Sequence, residues 1–240
     1  MAISQNTEPL IFENGLIKCS PANVKQFEKG VAAHNKKYHA EGPYGARVYT
    51  IGNGPNTGSY MWVMGPLPWS AMDSRPKLEG HDEDWTNNVM PYMLPEGDQT
   101  YWEFEVELSH FPKDFMLKNL LVDMYDVKRM KGQEAKDLLK KINKVMVEKF
   151  PDESFGIYTN EFPSTKEGRD IAFISFFEKS AWLGEDNDFV AKYNSVHGAG
   201  SFAKFLKDWE DVTNGSETEM WRYRADLSGL SGEIKAAERQ

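Results

Sequence analysis

The chain has 240 residues, 40% of them apolar and 27% charged, a balance typical of folded globular chains that argues against a disordered one. Its 28 Lys and Arg stand against 37 Asp and Glu, and the net charge of −9 disfavours non-specific binding to nucleic acid or to an anionic membrane, since both need a cationic surface. A single cysteine, Cys19, excludes an internal disulfide; no run nears the ~18 apolar residues of a membrane helix, and MAISQNTEPLIF lacks a basic leader, so the expected location is cytoplasmic.

Residues 10–19 read as a strand interrupted near Asn14-Gly15. Ser20-Pro21 opens a helix, with Ser as N-cap and Pro in the first turn, and Gly42-Pro43 stops it. Its apolar stripe is Val24, Phe27, Val31 and Tyr38, and His34 falls in phase with it. Residues 46–51 and 59–64 are β-rich runs joined by the turn GNGPNTG. The prolines of GPLPWSAMDSRPKLEG predict an irregular loop whose Trp69, Asp73 and Arg75 are candidates for a pocket edge. Residues 82–93 predict a short helix with Trp85, Val89 and Tyr92 in phase. Residues 100–109 predict a strand with Trp102, Phe104, Val106 and Leu108 on one face and Glu103, Glu105 and Glu107 on the other.

The second half repeats the order. A strand over 120–127 is followed by a helix over 132–150, with Ala135, Leu138, Ile142 and Val145 in phase. Strands over 155–161 and 171–177 form a hairpin. A helix over 188–197 ends at Gly198, a short added helix covers 201–209, and 219–227 is the closing strand. Sequence echoes support the match. YWEFEVELS around Trp102 resembles MWRYRADLS around Trp221, Tyr49-Thr50 resembles Tyr158-Thr159, and Ser70-Ala71 resembles Ser180-Ala181. The offsets are 109, 110 and 119 residues, so one insertion of about nine residues precedes the last strand.

Each half therefore reads β-α-β-β-α-β, the split βαβ of ferredoxin-like units, an α+β plan with one sheet face left to cover. The expected domains are 1–112, the first repeat, and 113–240, the second repeat with an extra short helix and a C-terminal tail. Two such units with facing antiparallel sheets resemble the fused form of the dimeric α/β-barrel superfamily. That group includes antibiotic-biosynthesis-type monooxygenases, NIPSNAP and EthD-like proteins, chlorite dismutases and dye-decolorising peroxidases. The resemblance covers nearly the whole chain and implies a pocket between a sheet and its helices or within the barrel.

His34, facing the sheet by phase, is the candidate catalytic base, haem ligand or hydrogen-bond donor; a core histidine bonded to backbone is the plain alternative. Tyr60 and Trp62 share a strand face and, with Trp85, could wall a flat apolar ligand, or simply fill the core. Arg222 and Arg224, against Glu103 and Glu105 on the matching strand, could grip an anion or form a salt-bridge network. His197 ends a helix, where the macrodipole favours it, and is the other candidate haem ligand. His39, His81 and His110 lie at element ends and are expected to face solvent. With one cysteine and no HxxxH or HExxH spacing, no metal site is expected.

Three functions remain open. One is a small-molecule site without a cofactor, monooxygenase-like, acting on an apolar or aromatic substrate. Another is haem binding through His197 or His34. The third is a non-enzymatic interaction protein, a homo-oligomer among its forms.

Overall fold

The computed structural model describes residues 8–164 and 166–239. The chain divides into two compact units. Unit 1 takes the chain up to Ile51, then Asn56–Phe104 and Tyr223–Gly232; unit 2 takes Gly52–Pro55, Glu105–Arg222 and the residues from Glu233 onward.

In unit 1 the elements are β1 (Leu10–Ile17), α1 (Val24–Tyr38), β2 (Ala46–Ile51), β3 (Tyr60–Pro68), α2 (Trp69–Asp73), α3 (His81–Asn88) and β4 (Asp98–Phe104). The antiparallel sheet runs β4-β1-β3-β2. Helix α1 buries Phe27 and Val31 with Ile17, Val48, Tyr60, Val89 and Leu227. This apolar cluster anchors the helix, because one face of an isolated amphipathic helix must be covered to be stable. Gly30 brings α3 close: a Cβ there would lie 2.0 Å from the Asn88 carbonyl oxygen.

In unit 2 the elements are β5 (Phe115–Met116), β6 (Asn119–Val127), α4 (Gly132–Lys149), β7 (Phe155–Asn160), β8 (Ile171–Phe177), α5 (Phe189–His197), α6 (Ser201–Val212), β9 (Thr213–Tyr223) and β10 (Glu233–Ile234). Its antiparallel sheet runs β9-β6-β8-β7, and β5 pairs with β10. Ala135, Leu138 and Val145 of α4, Tyr193 of α5 and Phe205 of α6 pack on Phe155, Ile157 and Ile171. Both units are α+β.

The echoed residues fall on corresponding elements. Tyr49 lies in β2 and Tyr158 in β7, and both are buried. Ser70 and Ser180 lie in the helical turns that follow β3 and β8. In β4 the Trp102 indole N–H donates to Thr100 Oγ1 (2.9 Å), and in β9 that of Trp221 donates to Glu219 Oε2 (2.7 Å), two residues upstream in each case.

Several boundaries differ from the sequence expectation, each for a local reason. β1 runs through Asn14-Gly15 without a break; its irregularity lies between Ile11 and Glu13, opposite Gly65-Pro66 of β3. That bulge is why β3 continues to Pro68 instead of dissolving into a loop. A proline at a bulge forfeits no ladder hydrogen bond. Gly65, at φ +127°, takes a conformation that other residues rarely adopt. Helix α3 stops at Asn88, with Pro91 in the 3-10 turn Met90–Tyr92 that follows. Strand β4 ends at Phe104, and Val106–Leu108 form a 3-10 turn closed by Leu108 N–H to Glu105 O (3.1 Å). There Ser109 Oγ donates to Glu105 O and accepts from Ile157 N–H, so a serine hydroxyl takes the place of a ladder bond. The closing strand starts at Thr213 and ends at Tyr223, directly after α6. Leu227 and Ser228 turn back by donating their N–H groups to Arg224 O. Ser20 makes no side-chain cap bond; Pro21–Asn23 is a 3-10 turn and α1 begins at Val24.

Candidate functional site

Unit 1 contains a cavity of about 700 Å³ whose lining includes His34, His39, His81, Trp62, Trp85 and Arg75. These residues come from four places in the fold. His34 sits on the buried stripe of α1, one turn beyond Val31 and 1% exposed. His39 is the C-cap of α1, its N–H bonded to Asn35 O at 2.9 Å. His81 opens α3 after Gly80, which has φ 76°, and Trp85 lies one turn further along. Trp62 projects from β3, its indole N–H donating to Asn35 Oδ1 at 3.1 Å; Asn35 in turn donates to Leu227 O at 2.7 Å.

The three imidazoles are each held by Nδ1. That of His34 bonds Asp84 Oδ2 (2.8 Å), that of His39 the Tyr44 carbonyl (2.7 Å), and that of His81 Asp82 Oδ1 (2.8 Å). Their rings pack together, with His34 centred 4.8 Å from His81, 5.3 Å from His39 and 5.0 Å from Trp85. Burial pushes the His39 imidazole down to about 4, against the opposing pull of the Tyr44 carbonyl. Burial also lowers His34, against its bond to Asp84, whose carboxyl is held below its ordinary value chiefly by that same bond. His34 and His39 are therefore neutral at physiological pH, and the His34–Asp84 contact is an N–H to carboxylate hydrogen bond. Also lining the cavity, buried Glu13 pairs with Arg75 and accepts from Gln99 Nε2 (2.6 Å).

Of the residues singled out from sequence, His34, Trp62 and Trp85 meet at this cavity, and Arg75 of the expected pocket-edge loop joins them. His39 and His81 are a correction: His39 is buried and both line the cavity, where solvent was expected. The available signal was weak. His39 is five residues from His34, off its helical face, and the approach of His81 depends on where α3 packs.

The other candidates lie apart. Tyr60 hydroxyl and Arg224 Nη1 both donate to Glu28 Oε1, at 2.8 and 2.7 Å, and Arg224 also clamps Asp226. Arg222 is exposed on β9, opposite Asn119. Glu105 is taken by Lys136 and by Thr159 Oγ1 (2.6 Å). His197 donates from Nε2 to the Lys141 carbonyl (3.0 Å), with its ring 4.6 Å from that of Tyr193, beside a smaller cavity of about 220 Å³. Among the described residues no helix is long and apolar enough to cross a membrane.

Comparison with solved structures identifies the class of fold. The putative monooxygenase of Fusobacterium nucleatum superposes with a TM-score of 0.59 at 10% identity, covering 90% of this chain and 93% of its own. That of Lactobacillus acidophilus gives 0.57 at 11% identity, covering 95% and 99%. A mutant chlorite dismutase from Candidatus Nitrospira defluvii gives 0.52 at 8%, covering 96% and 95%. The chain thus has the fold of the dimeric α/β-barrel superfamily, matched over nearly its full length. No protein-family model matches the chain, and no curated protein matches its sequence.

Proposed function

We propose that this chain is a small-molecule-binding protein whose ligand occupies the unit 1 cavity, and that it acts as a monooxygenase-like enzyme on an apolar, ring-bearing substrate with an acidic oxygen. The observation that carries this is the pairing of two indoles with three imidazoles around one 700 Å³ space, the size and mixed lining of a small-molecule site. Trp62 and Trp85 receive the flat apolar body. In the metal-free chain the neutral imidazole of His34, fixed through Nδ1 by Asp84, accepts the proton of a phenol or enol. Asp84 then stabilises the imidazolium that forms. Arg75, paired with Glu13, lines the same cavity.

We also infer that the two halves, 1–112 and 113–240, descend from one ferredoxin-like βαββαβ plan. The shared strand order and the paired tryptophan bonds support that reading. A haem on His197 draws no support from that residue's surroundings, since its Nε2 is bound to the Lys141 carbonyl. Trp69 itself lies in helix α2 rather than in an irregular loop.

Titration with 1-naphthol and 1-hydroxy-2-naphthoate, followed by tryptophan fluorescence, tests the reading. Saturable binding should weaken at least tenfold, about 1.4 kcal/mol, in Trp85→Ala and in His34→Gln, and stay unchanged in His197→Ala. Binding that is absent, or indifferent to Trp85 and His34, overturns it.

A further inference from the structure

The three Nδ1 bonds in unit 1 leave something unexplained. The Tyr44 carbonyl and the Asp82 and Asp84 carboxylates accept hydrogen bonds, so each Nδ1 carries a proton and Nε2 is the ring nitrogen left for another partner. Nε2 of His39 and Nε2 of His81 stand 3.3 Å apart, close enough to share one electron-poor centre, a proton or a metal ion. One ring nitrogen each from His34, His39 and His81 lies within 4.8 Å of the others.

We propose that these three histidines bind a divalent first-row transition metal through Nε2, with a remaining coordination position open to the cavity. A tetrahedral ion with metal–nitrogen distances of about 2.0–2.1 Å places its ligand nitrogens roughly 3.3–3.4 Å apart, which is the His39–His81 separation. An all-imidazole set suits Zn²⁺, Co²⁺, Ni²⁺, Cu²⁺ or Fe²⁺ rather than Mg²⁺ or Ca²⁺. The partners of Nδ1 are those that orient metal-bound histidines, two carboxylates and a backbone carbonyl. Three protein ligands and an open position are the pattern of catalytic rather than structural sites.

For the open position the inference rests on the ligand reading above. In the loaded chain the metal, not the His34 imidazole, takes the ligand's acidic oxygen.

The experiment uses the full, untagged chain, stripped with a chelator and titrated with Co²⁺ by visible absorption and with Zn²⁺ by calorimetry. One equivalent should bind, and Co²⁺ should give the intense d–d bands of a four-coordinate site. His81→Ala, at the partly exposed ligand, should weaken binding at least tenfold while the far-UV circular dichroism stays unchanged. Asp82→Asn should weaken it roughly 10- to 100-fold, and His197→Ala should leave it intact. No saturable binding to the folded chain overturns the proposal, and the 3.3 Å contact is then a shared proton. Equal binding by His81→Ala overturns it as well. Naphthol binding without metal binding removes this inference alone; metal binding without naphthol binding removes the ligand reading and leaves the metal site.

Discussion

Glu28 shows how one carboxylate organises the wall of unit 1. Tyr60 and Arg224 both end on its Oε1, and the Arg224 bond is the main reason its carboxyl lies below its ordinary value. Burial, then the Glu28 bond, raises the Tyr60 phenol, so it stays a donor. A carboxyl lowered in the folded state is protonated first in the unfolded chain. Its stabilisation is complete above the unfolded value of about 4.3 and is lost as pH falls through the lower folded value. Glu28→Gln should therefore lower stability by about 1 kcal/mol at pH 7, a modest figure because Arg224 and Glu28 are each about a quarter exposed. In melts at pH 3 the gap to the parent chain should narrow; an equal gap at both pH values would show that the charge plays no part. Alternation along β3 placed Tyr60 and Trp62 on one face, and the structure still sends them to different partners. Phase gives direction, but reach and neighbours decide the contact.

At the scale of elements, the contact between α1 and α3 builds the site, since α1 carries His34 and α3 carries His81, Asp84 and Trp85. Gly30 permits it. In Gly30→Ala the new Cβ would meet backbone, the Asn88 carbonyl at 2.0 Å, which cannot rotate away like a side chain. A loss of about 1–3 kcal/mol is expected, with weaker naphthol and Co²⁺ binding because α3 is displaced. Urea unfolding of the variant measures it, and parental stability would mean that α3 is not held by this approach. Helix α1 was legible from its stripe. Helix α3 was legible as a helix, but its packing angle was not, because Gly30 is silent until its neighbour across the interface is known.

At the scale of the molecule, unit 1 is discontinuous in sequence. Tyr223–Gly232 belongs to it and supplies the buried core residue Leu227, the Ser228 hydroxyl that accepts from Val48 N–H (2.8 Å), and Arg224 for Glu28. Gly229 packs so tightly that a Cβ would lie 2.0 Å from His39 O. A fragment of residues 1–112, the first repeat by sequence, should therefore lack cooperative unfolding and bind neither naphthol nor Co²⁺. Calorimetry of the fragment beside the whole chain checks this; a sharp transition would show that the first repeat folds alone. The echoes were legible in the sequence, but not the return of the chain to unit 1, because Leu-Ser at 227–228 resembles Leu-Ser at 108–109 while serving a different unit.

The sequence by itself determined the α+β class, the order of the main elements, the stripe that buries His34 and the resemblance to the dimeric α/β-barrel fold. The class, the order and the stripe follow from periodicities of about 3.6 and 2, which local chemistry writes into neighbouring residues; the resemblance rests on the element order and the echoes. Only the tertiary structure decided that β4 ends at Phe104, that Tyr60 and Arg224 meet at Glu28, and that His39 and His81 join His34. A cluster of three imidazoles from a helix interior, a helix end and a second helix 42 residues beyond His39 has no local signature. It exists because α3 packs on α1, and that contact is long-range.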